Sequence, residues 1–175
     1  MNNSEPWIHV NEMDYKRYTL WFFYACVIYS LIGFSWGVVV GMLPDLREFI
    51  NHRPHGNLIM LGHGHINLLG WVEMAIFGSV YYIIPRIVKR PIYSLGLVKL
   101  HFWTHNFGLL GMVIAFVAAG TLGGMASMQM TPDEVKAVVR PFMIMVGLFG
   151  SLVLAANCIW AYNIFRTCAG WKERQ

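Results

Sequence analysis

The sequence predicts an all-α integral membrane protein, a single domain (residues 1–175) built as a four-helix bundle. Hydrophobic residues make up 57% of the 175 residues and charged residues only 13%, whereas ordinary soluble domains carry roughly a quarter charged residues. A soluble protein of this size could not cover its surface with so few charges, so the surplus apolar surface needs lipid. Four apolar runs are long enough to cross a hydrocarbon core, which takes about 20 helical residues.

The four transmembrane helices are expected at about residues 19–43, 57–84, 97–122 and 132–166. The first two are expected to end at Pro44 and Pro85, because proline interrupts a helix. Residues 131–134 (TPDE) predict the start of the fourth helix, because they supply a capping residue, a first-turn proline and two first-turn acids. The first apolar run is too long for the core of a signal peptide and has no clear cleavage site, so we expect it to be retained.

Lysine and arginine predict the orientation of the chain in the membrane. The N-terminus, the loop between the second and third helices and the C-terminal tail share one side, with nine basic residues: Lys16, Arg17, Arg86, Lys89, Arg90, Lys99, Arg166, Lys172 and Arg174. The opposite side carries four: Arg47, Arg53, Lys136 and Arg140. The positive-inside tendency therefore predicts that both termini lie in the cytoplasm. The membrane is expected to be the inner membrane of a bacterium. The positive-inside tendency also accounts for the net charge of +4, so no nucleic-acid partner is expected.

Ionisable side chains within the apolar runs are the candidate functional residues, because such groups face the bundle interior, a cofactor or a water cavity. They are His63, His65, Glu73, His101 and His105. His63 and His65 lie about 200° apart around an α-helix, so they cannot clamp one metal ion together. Each could give an axial nitrogen to a different planar cofactor, since the neighbouring Gly62 and Gly64 leave room for a macrocycle. The alternative is that water and carbonyl groups satisfy both histidines.

His101 and His105 are four residues apart and share a face of the third helix, a spacing that could hold a metal ion. They begin that helix on the predicted cytoplasmic side, so about 10–20 Å of depth is expected between them and His63 and His65. For His101 we expect a position near the headgroups or a hydrogen bond to another helix, and for His105 a ligand role is equally open. Glu73 is either a proton-relay element or a structural hydrogen-bonding group.

The second helix resembles the catalytic subunit of haem–copper oxidases, and most of all the C-family oxidases and the nitric oxide reductases. The match covers about residues 61–105 and includes these strings: Gly62-His63-Gly64-His65, Leu69-Gly70-Trp71-Val72, Phe77-Gly78, Tyr81-Tyr82, Pro85-Arg86 and His101-Phe102-Trp103. In that family the first histidine of His-x-His binds the active-site haem and the second binds the low-spin haem. The resemblance therefore implies that His63 and His65 are axial ligands of haem iron. A second alignment, to an earlier helix of nitric oxide reductase, also makes His65 a haem ligand.

The family's catalytic subunit has a dozen or more helices in three four-helix units, and this chain is long enough for one. The histidines that bind the active-site copper or iron, and the cross-linking tyrosine motif, have no counterpart here. The resemblance thus implies an electron-transfer subunit holding haem b, a b-type cytochrome, rather than a complete oxidase or reductase. Two alternatives stay open: a five-coordinate haem on His63 that binds or reduces nitric oxide or oxygen, and a haem-free anchor or assembly subunit of a respiratory complex.

The expected partners follow from the position of His65. No second axial ligand is evident at the same depth, so we expect it from another copy in a homo-oligomer, or from another subunit of a membrane redox complex. Because the two histidines lie toward the predicted periplasmic side, a periplasmic cytochrome c or copper protein is the expected electron partner. A quinol donor also stays open.

Overall fold

The computed structural model describes the backbone of residues 7–169 and the side chains of residues 16–169. Within that range the chain forms helices and no strands, as the all-α prediction requires. The elements in chain order are α1 (Trp7–Met42), α2 (Pro44–His52), α3 (Leu58–His65), a π-helical segment (Ile66–Val72), α4 (Glu73–Val88), α5 (Leu95–Ala126) and α6 (Pro132–Cys168). Because α3, the π-helical segment and α4 run on without a break, they are together called helix two.

Four spans are long and apolar enough to cross a membrane: Lys16–Met42, Leu58–Val88, Leu95–Ala126 and Pro132–Cys168. They correspond to the four predicted helices, so the predicted membrane fold is confirmed. The start of α6 is also as predicted, because one carboxylate oxygen of Glu134 accepts hydrogen bonds from both the backbone N–H and the hydroxyl of Thr131, each 2.8 Å long.

The predicted end of helix two at Pro85 was wrong by one turn. Pro85 lies inside α4, which ends at Val88. Proline has no N–H to donate to the carbonyl one turn earlier, but the carbonyl of Pro85 still accepts the hydrogen bonds that end the helix. It accepts from the N–H of Lys89, which adopts the left-handed conformation (φ 50°), and from the N–H of Arg90 at 3.1 Å. A proline in a membrane helix is tolerated where neighbouring contacts satisfy the freed backbone groups.

Helix α2 was not predicted, although Pro44 and Asp45 are typical of a helix start. It is short and lies between the first two membrane spans, with Ile50 buried. The ring of Phe49 packs against Gly124 at the far end of α5. This amphipathic helix therefore covers the end of the bundle opposite the one where α1 begins and α6 ends.

Helix α1 packs antiparallel to helix two. A Cβ atom added to Gly70 would lie 2.7 Å from Cγ of Tyr29, and one added to Gly78 would lie 3.2 Å from Cβ of Phe22. Gly78 follows Gly70 along helix two, whereas its partner Phe22 precedes Tyr29 along α1. The two helices therefore run in opposite directions. The absence of a side chain at both positions lets the rings of α1 pack onto the helix backbone.

The most extensive helix contact joins α5 to α6. A Cβ atom on Gly108 would lie 2.9 Å from the carbonyl oxygen of Phe149 and 2.9 Å from a methyl group of Val153, and Gly111 faces the ring of Phe149. Half of the apolar span of α5 is buried in the bundle, but only 11% of that of α6. Helix α5 therefore lies at the centre of the bundle. Helix α6 packs against the other helices through one face, and the rest of its apolar surface is exposed.

The turn between α4 and α5 is tied to the end of α6 by side-chain hydrogen bonds. Asn163, which is fully buried, accepts from the N–H of Ser94 and donates to its carbonyl, both at 3.0 Å. One residue earlier, the N–H of Tyr93 donates to the hydroxyl of Thr167 at 3.0 Å. These contacts fix the depth of α5 relative to α6.

Replacing Gly108 with alanine should weaken the α5–α6 contact, because the new methyl group meets backbone atoms that cannot move aside. We expect Gly108→Ala to lower the free energy of unfolding by about 1–3 kcal/mol, the usual cost of overpacking. The matched control is Gly147→Ala on α6, since nothing lies within 4 Å of a Cβ atom there. Titration of the purified protein with a denaturing detergent, followed by circular dichroism, measures both, and equal stability of the two variants would contradict this account of the interface.

Asn163→Ala should detach the α4–α5 turn from α6, because the N–H and the carbonyl of Ser94 both lose their partner. Each buried polar group left without a partner costs about 1–3 kcal/mol, so a clear loss of thermal stability is expected. Asn51→Ala is the control, since Asn51 is exposed on α2. If the two substitutions shift the melting temperature equally, the proposed role of Asn163 is wrong.

Candidate functional site

His63 and His65 face opposite sides of helix two, as their separation of about 200° predicts. The Nε2 atom of His63 lies 3.1 Å from the carbonyl oxygen of Gly33 on α1, and its ring centroid is 5.9 Å from that of Trp36. The ring of His65 instead packs beside Phe116 of α5, with centroids 5.0 Å apart. The two imidazoles therefore lie in different environments.

The hydrogen bond of His65 determines which of its nitrogens is free. Nδ1 lies 2.7 Å from the carbonyl oxygen of Leu61, one turn earlier in the same helix. A carbonyl only accepts, so Nδ1 carries the proton and Nε2 keeps its lone pair. No group in residues 16–169 forms a hydrogen bond with that Nε2 atom. Histidines that bind metal commonly donate the other ring N–H to a backbone carbonyl in this way.

The space beside His65 is open on one side. The side chain is partly exposed, and a Cβ atom added to the neighbouring Gly64 would meet nothing within 4 Å. Phe116 offers an aromatic wall on the α5 side. A flat apolar group could therefore approach the free nitrogen from the direction of the membrane.

His63 is held more tightly. Since its Nε2 atom donates to the Gly33 carbonyl, its ring contributes to the contact between α1 and helix two. A Cβ atom on Gly37 would lie 3.5 Å from the same nitrogen, and the side chain of Asn67, which donates to the His63 carbonyl at 2.9 Å, packs against Gly33. The binding of metal through Nε2 would require His63 to give up its bond to α1.

A π-helical segment, Ile66–Val72, directly follows His65 and ends before Glu73. Its wider turn is seen at Glu73, whose N–H bonds to the carbonyl of Leu68, five residues earlier. Such segments are rare and often occur at functional sites. Because the segment changes the angle per residue, the direction of Glu73 could not be extrapolated from that of His65 along a regular α-helix.

His101 and His105 are fully buried between helix two and the neighbouring helices. Nδ1 of His101 lies 3.1 Å from the hydroxyl of Tyr81, which is the expected bond to another helix. Nε2 of His105 lies 3.2 Å from the carbonyl oxygen of Leu69 and 3.7 Å from Oε2 of Glu73.

The contact with Leu69 places the side chain of His105 beside the π-helical segment, whereas the contact with Tyr81 places that of His101 beside α4. The expected separation of about 10–20 Å in depth between these histidines and the pair on α3 stays a prediction.

His65 and the His101–His105 pair belong to separate places in the bundle. In the part of the chain that the structure describes, no three His, Cys, Asp or Glu side chains are arranged to hold a metal ion. Four helices of membrane-spanning length, one of which carries a histidine whose Nε2 atom has no hydrogen-bond partner in residues 16–169, define a helical membrane protein.

The comparison with protein families specifies this class. The family model described as cytochrome c and quinol oxidase polypeptide I matches residues 7–152, and the chain belongs to this family. Membership implies, in general terms, haem as the type of cofactor.

Three relatives illustrate the similarity. A protein named cytochrome c oxidase subunit 1 homolog from Azorhizobium caulinodans is 30% identical over 127 residues, which is 67% of this chain and 23% of the relative. The bacteroid homolog from Bradyrhizobium diazoefficiens is 31% identical over 129 residues, 69% of this chain and 24% of the relative. The cbb3-type cytochrome c oxidase subunit CcoN1 from Stutzerimonas stutzeri is 26% identical over 158 residues, 85% and 33% respectively. This chain thus spans about a quarter to a third of their length.

Proposed function

We propose that this chain is a b-type cytochrome subunit that carries electrons within a membrane redox complex, with His65 as an axial ligand of haem b. The observation that carries the proposal is the bond from Nδ1 of His65 to the Leu61 carbonyl, which leaves Nε2 as a lone-pair donor. Membership of the oxidase family adds haem as the expected type of cofactor.

The residues around His65 fit a macrocycle. The donor is a neutral imidazole nitrogen, the glycine next to it leaves one side open, and the wall formed by Phe116 is aromatic and apolar. A haem bound there supplies reversible one-electron chemistry between ferrous and ferric iron. The protein's part is to orient the imidazole through the Leu61 carbonyl and to keep the surroundings apolar, which influences the reduction potential.

His63 is the second candidate ligand, and it is less suited than His65. Its Nε2 atom is already bonded to Gly33, so binding iron there costs a contact between helices. We do not propose His105 as an iron ligand, because its side chain is fully enclosed by protein. These differences favour a single haem ligand from helix two.

The second axial ligand is proposed to come from outside residues 16–169. A second copy in a homo-oligomer would supply it through its own His65 or His63, and another subunit of the complex would do so through a side chain of its own. With both termini in the cytoplasm of a bacterium, His65 lies toward the periplasmic side of the inner membrane. A periplasmic cytochrome c or copper protein is then the proposed electron partner.

Substitution of His65 tests the proposal directly. The purified chain should show the reduced-minus-oxidised absorption bands of haem b with two imidazole ligands, and His65→Gly should abolish them because the iron loses its ligand. Added imidazole should fill the space left by the side chain and restore the bands. Full haem occupancy with unchanged bands in His65→Gly would rule out the assignment.

Two further measurements separate the alternatives. His52→Gly, on the exposed face of α2, is the matched control and should leave the spectrum unchanged. Carbon monoxide should not shift the spectrum of the reduced protein if both axial positions are filled, whereas a shift would indicate a five-coordinate haem. Absence of haem after extraction in mild detergent would indicate a haem-free anchor subunit instead.

A further inference from the structure

An apolar groove lies between α1 and α5 on the outside of the bundle. Both helices are antiparallel to helix two and so run in the same direction, but they make little direct contact with each other, whereas α5 packs closely onto α6. The space between them is a cavity of about 550 Å³. Neither His65 nor its neighbour Phe116 lines this cavity, so the inference below does not depend on the proposed function.

The length of the groove matches the thickness of one leaflet of the membrane. On α1 its lining extends from Trp21 to Ile32, which at 1.5 Å per residue is about 16 Å. The hydrocarbon core of a bilayer is about 30 Å thick, so the groove passes through about half of it. Ile28 on α1 and Leu110 on α5 line the groove and are exposed, so the groove is open toward the surrounding lipid.

Two polar side chains toward the deep end of the groove are already paired. The hydroxyl of Tyr29 donates to the amide oxygen of Asn106 at 2.7 Å, and the amide nitrogen donates to the carbonyl of Phe102 at 2.7 Å. The rest of the deep lining is aromatic or aliphatic. This part of the groove therefore needs no hydrogen bond from an occupant and is suited to a hydrocarbon chain.

Two basic side chains lie at the end of the groove where α1 begins. Cζ of Arg17 is 5.8 Å from the ring centroid of Trp21, and Nζ of Lys99 is 5.1 Å from that of Tyr18. The rings of Tyr18 and Trp21 are themselves in contact, with centroids 4.9 Å apart. Both basic residues are exposed, and neither forms an ion pair with a carboxylate in residues 16–169. The mouth of the groove therefore carries positive charge that can attract an anion.

These two features together are complementary to an anionic phospholipid. Its headgroup is negative, and its acyl chains extend through one leaflet, as the groove does. A free anion would leave the apolar groove empty. A transmembrane helix of another chain would have to cross both leaflets, whereas the groove extends through one.

We propose that the groove between α1 and α5 binds a phospholipid with a net negative headgroup. One acyl chain lies along the groove, and the side chains of Arg17 and Lys99 bind the phosphate. Basic pockets between membrane helices recognise such headgroups. The contacts of the two cations with Trp21 and Tyr18 keep their charges near the mouth of the groove.

Native mass spectrometry of the full chain tests the contact with the headgroup. One dioleoylphosphatidylglycerol should stay bound per chain, and dioleoylphosphatidylcholine should bind more weakly because its choline group offsets the negative phosphate. The double substitution of Arg17→Gln with Lys99→Gln should weaken phosphatidylglycerol binding about 30-fold, since each basic residue near an anionic headgroup contributes about fivefold.

The matched control removes the same charge from the other end of the bundle. Arg47→Gln with Arg140→Gln changes two exposed residues there and should leave phosphatidylglycerol binding unchanged. Equal affinity for the two lipids, or equal losses in the two double variants, would overturn the proposal. Should the variant at the groove fail to fold, Lys99→Gln alone tests the same contact, with an expected loss of about fivefold.

A bulky side chain in the groove tests the contact with the acyl chain. Ile28 lines the groove and is 56% exposed, so Ile28→Trp fills the groove without entering the core. This substitution should abolish the bound phosphatidylglycerol. Ile144→Trp, on α6 and 55% exposed, is the control and should retain it. Unchanged binding in Ile28→Trp would contradict the proposed site.

The same variant separates other occupants of the groove. Solvent extraction of the purified wild-type chain should yield anionic phospholipid that is missing from Ile28→Trp. A quinone that copurifies with the wild type in its place would overturn the proposal, and so would a dimer of the wild-type chain that becomes a monomer in Ile28→Trp.

Discussion

Close helix contact along α5 is the constraint on which the rest of this bundle depends. Lipid tails are as apolar as leucine, so apolar side chains alone give membrane helices little reason to associate. Association must come from packing and hydrogen bonds, and both need short distances. Gly108 allows α6 to approach, and Gly120, where a Cβ atom would lie 2.9 Å from the N–H of Ile59, does the same for helix two. With both neighbours this close, polar side chains on α5 can reach backbone carbonyls across the interface.

The hydrogen bonding of buried polar groups differs between the end of the bundle and its middle. At the end with the termini, Asn163 meets backbone groups of Ser94 directly and both are satisfied. Near the middle, His105 reaches the Leu69 carbonyl but leaves its other nitrogen without a protein partner. The difference arises because a large aromatic ring, Phe77, separates the polar groups in the middle. Direct pairing therefore fixes the bundle at its end, while several buried polar atoms in its interior lack a protein partner among residues 16–169.

Local properties of the sequence predicted most of the fold. Length and hydropathy identify the four spans, and residues 131–134 define the start of α6, because these features depend on neighbouring residues alone. The opposite directions of His63 and His65 were predictable for the same reason, since only one residue separates them. Contacts between helices were not predictable in this way: Tyr29 packs onto Gly70 within the π-helical segment, and this wider turn redirects every residue after it. The hydrogen bond of His105 to the Leu69 carbonyl depends on the same tertiary contacts.

The contrast between His63 and His65 shows how identical side chains two positions apart differ in their hydrogen bonds. Each imidazole satisfies one nitrogen with a backbone carbonyl, but His63 uses a carbonyl of α1 and His65 uses one of its own helix. Because the hydrogen bond of His65 joins two residues of the same helix, the imidazole ring and the helix move together. The direction of the free nitrogen of His65 therefore does not depend on the position of α1. A metal ligand needs such a fixed direction, because a small displacement of the donor weakens its bond to iron. Under the proposed function, the local peptide geometry of α3, rather than the packing of the bundle, therefore makes position 65 the better candidate for a ligand.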